Sequence, residues 1–167
     1  GNELDHVYVR NLDGSIVDLT PGENLKASFA GWHDNKELFY ISSNERNPKF
    51  FDLYEYQVKD YSRRMVFQND SGYQIAGGSS DGQWLALTKT NSNAETDWFL
   101  IDLNSEDKAP MMVARSDPKD IALSVYTFTP DNQKLIYGSN ADGEFNQAMS
   151  YDLNTQKHEP DYQVNWD

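Results

Sequence analysis

Gly78-Ser79-Ser80-Asp81-Gly82 spells Gly-x-Ser-x-Gly, the pattern of a nucleophile elbow, in which a strained strand-to-helix turn exposes a serine beside an oxyanion hole. That chemistry needs a helix after the serine. The residues that follow, Gln83-Trp84-Leu85-Ala86-Leu87-Thr88, alternate as a strand does. Matching positions elsewhere in the chain, His33-Asp34-Asn35 and Pro130-Asp131-Asn132, have no serine where Ser80 stands. Ser80 is therefore read as a turn residue, and no catalytic residue is assigned.

Other reactive side chains are scattered. His6, His33 and His158 have unrelated neighbours, so neither a catalytic triad nor a His-x-x-x-His metal pair can be built from them. The acidic run Asn104-Ser105-Glu106-Asp107 lacks the Asp-x-Asp-x-Asp-Gly spacing of a calcium loop, and no metal or cofactor is assigned. Asn69-Asp70-Ser71 fits a glycosylation sequon but falls where a hairpin turn would use the same residues. Glu45, Arg46 and Lys49 form the charged cluster of most interest on an expected rim loop. They are the candidate contacts for a peptide terminus, and a solvated loop would equally need them.

The elements that carry these residues repeat. Residues 29–40, 75–87 and 125–137 share one pattern: an apolar stretch, an Asp-Asn or Asp-Gly turn, then an alternating apolar run. The turn residues Asp34, Asp81 and Asp131 lie 47 and 50 positions apart. A second landmark, the runs ending at Leu12, Val58, Leu103 and Leu153, recurs after 46, 45 and 50. Such a period is that of a four-stranded propeller blade, and no segment sustains a helical period. The expected fold is all-β: a β-propeller fragment of three full four-stranded blades, with partial blades at the termini.

The approximate units are 1–25 (partial), 26–72, 73–120 and 121–163, with 164–167 opening a further blade. Strands are expected near 27–32, 37–43, 50–58 and 63–68; 74–78, 83–90, 96–103 and 110–114; and 123–128, 133–138, 146–153 and 157–162. Residues 43–49 and 90–96 read as longer loops between second and third strands. Core positions are Phe29, Leu38, Tyr40, Leu53, Leu85, Leu87, Phe99, Ile101, Phe128, Leu135, Tyr137 and Tyr151, with Trp32 and Trp84 as blade-packing aromatics. Since a closed propeller takes about four to eight blades, the chain reads as an arc of a larger protein. Its exposed ends are expected to self-associate, or Val164-Asn165-Trp166 to add to the incomplete first unit.

Fourteen basic against 27 acidic residues leave a net charge of −13, which repels phosphate backbones and anionic membranes and argues against both as partners. There are no cysteines, so disulfide scaffolds and thiolate zinc sites are excluded. The compartment stays open between cytoplasm and periplasm or exterior.

The segment Asn44-Glu45-Arg46-Asn47-Pro48-Lys49-Phe50-Phe51-Asp52-Leu53-Tyr54 resembles the Asn-Glu-Arg-Asp-Pro-Arg-Phe-Phe-Asp-Leu-Tyr stretch common in propeller domains of the prolyl oligopeptidase family of serine peptidases, which includes acylaminoacyl and dipeptidyl peptidases. Gly1-Asn2-Glu3, the strand Val7-Tyr8-Val9 and Leu19-Thr20-Pro21-Gly22 are similar to one blade of that family. Pro130-Asp131-Asn132 and Ser80-Asp81-Gly82 look like the Pro-Asp-Gly turn that it shares with TolB-like propellers. The resemblance implies a noncatalytic propeller that filters peptide substrates for a separate α/β-hydrolase domain not in this chain. The rival expectation is a TolB-like module whose rim binds a protein partner. A polysaccharide-lyase-like propeller would need a histidine and metal-ligand constellation that the sequence does not display.

Overall fold

In the computed structural model the described residues are 4–92, 95–116, 123–141 and 145–161. Among them there is no helix, and fourteen strands form one two-stranded and three four-stranded antiparallel sheets. Each four-stranded sheet is a simple meander in chain order. Such order follows from short polar turns between alternating strands, because a hairpin needs only a few residues while a parallel crossover needs a dozen or more.

The chain divides into two compact units, residues 1–73 and 74–167. The first contains β1 (Tyr8–Arg10), β2 (Ile16–Asp18), β3 (Ala27–Trp32), β4 (Leu38–Asn47), β5 (Phe50–Gln57) and β6 (Arg63–Phe67). Sheet β1-β2 covers one face of sheet β3-β4-β5-β6. The buried side chains between them are Leu19, Phe39, Ile41, Tyr54 and Tyr56, flanked by Val7, Val9 and Val17. Tyr56 Oη donates to the Leu19 carbonyl at 3.1 Å, so the ring fills the core while its hydroxyl is satisfied.

The second unit contains β7 (Gln74–Gly78), β8 (Trp84–Ser92), β9 (Glu95–Asp102), β10 (Met111–Ala114), β11 (Leu123–Phe128), β12 (Lys134–Ser139), β13 (Gln147–Asp152) and β14 (His158–Pro160). Its two sheets pack through Trp98 and Leu100 on one side and Phe128, Leu135, Tyr137 and Tyr151 on the other, with β7 beside β11. Trp98 is completely buried and contacts the rings of Tyr137 and Tyr151.

Equivalent backbone bonds fix the true repeat. The turn after the first strand closes through Lys36 N–H to His33 O, Gly82 N–H to Ser79 O and Asn132 N–H to Thr129 O. At the next position inward, Asn35, Asp81 and Asp131 accept the N–H of Glu37, Gln83 and Gln133. Lys36, Gly82 and Asn132 all have positive φ, 60°, 72° and 55°. The counterpart of Asp81 and Asp131 is thus Asn35 and not Asp34, giving steps of 46 (35 to 81) and 50 (81 to 131). The slip is physical in origin, since Asn and Asp both serve as turn acceptors and the sequence offers them side by side.

A second shared feature has no sequence signal. Each first strand carries one unpaired residue in the same place: Ala30 between Phe29 and Gly31, Ala76 between Ile75 and Gly77, and Tyr126 between Val125 and Thr127. These bulges sharpen the twist of the strand.

Two expected core residues lie outside the core. Phe29 and Trp32 are 49 % and 51 % exposed, although both rings touch Phe39. Leu38 and Trp84 are only partly buried, and Trp84 packs on the second unit's cluster. Residues 164–166 lie outside the described residues.

Candidate functional site

Residues 43–49 do not form a loop. β4 runs on to Asn47 and β5 begins at Phe50, so Glu45 and Arg46 are strand residues and only Pro48 and Lys49 form the turn. Successive strand side chains point to opposite faces, and the candidate trio is accordingly not brought together. Glu45 pairs with Arg63 at 2.9 Å, and the Arg63 guanidinium also lies 4.9 Å from the Tyr54 ring centre. Burial, then the neighbouring Glu45 carboxylate, pushes the Tyr54 phenol up to about 12, so this hydroxyl stays protonated at neutral pH. The backbone N–H of Lys49 donates to Asn47 Oδ1 at 3.0 Å.

Arg46 is the centre of a knot. Its Nε and Nη2 donate to the two oxygens of Asp52 at 2.7 and 2.9 Å, Nη2 also donates to the Asn69 carbonyl, and Nη1 meets Asp70 at 2.9 Å. Bidentate pairing of this kind is among the strongest polar contacts that a protein makes. Asp52 is fully buried and accepts a further bond from Asn69 N–H at 2.7 Å. Asn69, also fully buried, donates from its amide to the carbonyls of Phe51 and Tyr73 and accepts from Tyr73 N–H. The amide nitrogen of the sequon is therefore consumed inside the fold. Arg46 fastens the β4-β5 hairpin to the chain leaving β6, and its guanidinium pKa is raised by the Asp52 bond.

Sequence reasoning missed this knot because Asn69 lies 17 residues from Asp52 and reads locally as a turn residue. One signal was present: Asp97 stands opposite Lys89 as Asp52 stands opposite Ser43, so an aspartate recurs at the same register of the third strand. Asp97 faces Arg115 at 3.8 Å.

Ser80 sits in the β7-β8 hairpin and not at a helix start. Its N–H and hydroxyl both donate to Asn132 Oδ1, at 3.0 and 3.2 Å. An amide oxygen cannot take up the hydroxyl proton as a general base must, so this contact joins two repeat turns and activates nothing. His6 pairs with Asp18 at 2.9 Å, His33 Nδ1 accepts the Asn35 N–H and His158 lies 2.8 Å from Tyr137 Oη. Each histidine is thus engaged locally. Among the described residues no three His, Asp or Glu side chains gather as a metal-holding group.

A cleft of about 220 Å³ opens beside β3, between the sheets of the first unit, lined by Val7, Tyr8, Leu19, Phe29, Trp32 and Phe39 among others. Its lining is aliphatic and aromatic, with no charged side chain in it.

No protein-family profile matches the chain, and no curated protein does. Solved structures do. TolB from Acinetobacter baumannii superposes with a TM-score of 0.64 at 17% identity, over 93% of this chain and 37% of that one. A prolyl endopeptidase gives 0.66 at 18%, over 94% of this chain and 22% of that one. The chain has the TolB and prolyl-peptidase type of propeller fold. An oligogalacturonate lyase in complex with manganese shares it as well, with a TM-score of 0.60 at 13% identity over 89% of this chain and 41% of that chain. The chain therefore spans less than half the length of each of these neighbours, and one architecture serves unrelated chemistries.

Proposed function

We propose that this propeller segment is the noncatalytic part of a prolyl-oligopeptidase-like serine peptidase, forming a wall that admits short peptides to a separate hydrolase domain. The observation that carries the reading is the Asn44–Tyr54 segment, whose family-like Arg46 and Asp52 form the bidentate pair at the heart of the first unit's knot. The match with the prolyl endopeptidase supports it. With a net charge of −13, the wall attracts cationic peptides, an effect that salt weakens.

The purified chain is expected not to hydrolyse peptidyl nitroanilides. Hydrolysis that Ser80→Ala abolishes would overturn the assignment. In the protein that contains this segment, loosening it by Trp98→Ala should raise cleavage of a long peptide relative to a dipeptide substrate; an unchanged ratio counts against gating.

A second reading, a TolB-like module whose rim binds a protein, is favoured by the TolB superposition. The full reading frame separates the two. A Gly-x-Ser-x-Gly elbow between a strand and a helix supports the peptidase, whereas further repeats without one support the binding module.

A further inference from the structure

The two blades of the second unit meet at three depths. On the inside β7 lies beside β11, and Ser80 reaches Asn132 between their turns. In the middle Trp98 and Leu100 pack on Leu135, Tyr137 and Tyr151. On the outside stand β10 and β14, which belong to different sheets and share no ladder. His158, on β14, spans that gap: its ring bonds the Val113 backbone on β10, and its Nδ1 lies 2.8 Å from Tyr137 Oη. A neutral imidazole has one donor and one acceptor nitrogen. The Val113 carbonyl can take the N–H and the Tyr137 hydroxyl can donate to the bare nitrogen, so the neutral form fits both neighbours.

Among the described residues the ring meets uncharged partners. The ring centroids of Tyr151, Tyr137 and Trp98 lie 4.8, 5.7 and 6.3 Å from its own. Charged residues of the same strands sit one position along and point to the other face. Asp97, beside Trp98, faces Arg115 at 3.8 Å, and Asp152, beside Tyr151, accepts the N–H groups of Asn154 and Thr155. Lys157 and Glu159 flank His158 itself, and Glu159 meets Lys134 of β12 at 4.0 Å. An imidazolium here gives up water without gaining a carboxylate. Burial, outweighing the pull of the Val113 carbonyl, accordingly holds the His158 pKa below its ordinary 6.5. The outer side of the residue stays exposed, so protons reach it.

The first unit supplies a contrast. There the tie to the preceding sheet is Tyr56 Oη on the Leu19 carbonyl, just past β2, at 3.1 Å. Burial pushes that phenol up, so it stays protonated throughout the range in which a histidine titrates.

We infer that His158 is an acid-sensitive latch: neutral, it ties β14 to β10, and on taking up a proton it swings to solvent, releases Val113 and opens the outer seam between the two blades. The inference goes beyond the gating role and does not depend on it.

The test compares the 167-residue chain with His158→Gln, a neutral side chain that keeps an N–H donor, as pH falls from about 7.5 to about 5. The wild-type urea midpoint should fall more than that of the variant, because below the ordinary histidine pKa the unfolded chain binds a proton that the folded one refuses. Taking the difference cancels His6 and His33. Amide exchange locates the opening. Asp161 N–H, bonded to Ala148 O at the end of β14, should lose about half or more of its protection, while Leu103 N–H, bonded to Gln83 O in the same unit, should keep its own. Parallel pH shifts of the two midpoints, or equal loss of protection at Asp161 and Leu103, would overturn the inference. So would a His158 imidazole that titrates at or above 6.5 by nuclear magnetic resonance, a measurement on the unaltered chain that decides the matter even if His158→Gln does not fold.

Discussion

Asp52 illustrates how one buried carboxylate can organise several segments. Replacing it by alanine leaves the buried Asn69 N–H without its acceptor and strips the Arg46 guanidinium of its bidentate partner, and an unpaired buried polar group costs more than the bond it lost. Asp52→Ala should destabilise the chain by about 2 kcal/mol or more, read as a lower urea midpoint, and Asp52→Asn by less. The turn aspartates act in the opposite setting, at the surface. Asp13, Asp60 and Asp131 accept side-chain bonds from Ser15, Ser62 and Thr129 that hold their carboxyl pKa values below the ordinary 3.8. A depressed pKa contributes stability that is complete above the unfolded value and is lost as pH falls through the folded one. The urea midpoint should therefore drop between about pH 5 and pH 3, and less steeply in an Asp60→Asn, Asp131→Asn double variant.

At the scale of elements, hairpin position is set by hydrogen-bond chemistry that several residues can supply. Lys36, Gly82 and Asn132 occupy one positive-φ site, so Gly82→Asn should change stability by no more than about 0.5 kcal/mol. Gly82→Val, a β-branched residue in left-handed backbone, should cost about 1–2 kcal/mol; equal midpoints for the two would contradict the shared turn. Strand order and the three complete meanders were legible because alternation and turn residues are local signals. Less visible were features decided by distant partners. Nothing near Trp32 tells that its neighbour is a cleft, while Trp98, embedded in the run Trp98-Phe99-Leu100-Ile101, is the tryptophan that joins two sheets. The extension of β4 through Glu45 and Arg46 was hidden by polar residues that read as loop until the Asp52 and Arg63 contacts are seen.

For the molecule as a whole, packing between sheets carries the stability that single meanders lack. Trp98→Ala should cost about 3–5 kcal/mol, and Trp98→Phe less, because it also removes an indole N–H that has no partner among the described residues. Repetition of one register is the claim on which fold and function both rest. It equates Tyr40↔Glu55, Ala86↔Leu100 and Ile136↔Ser150, each on a non-bonded rung because it lies three positions along the ladder from the bonded pair Glu37–Val58, Gln83–Leu103 or Gln133–Leu153. Non-bonded rungs bring the two backbones closest together. Nuclear Overhauser spectra of the labelled chain should show strong Hα–Hα contacts at all three pairs; a missing contact, or one displaced by a residue, would contradict the repeated blade.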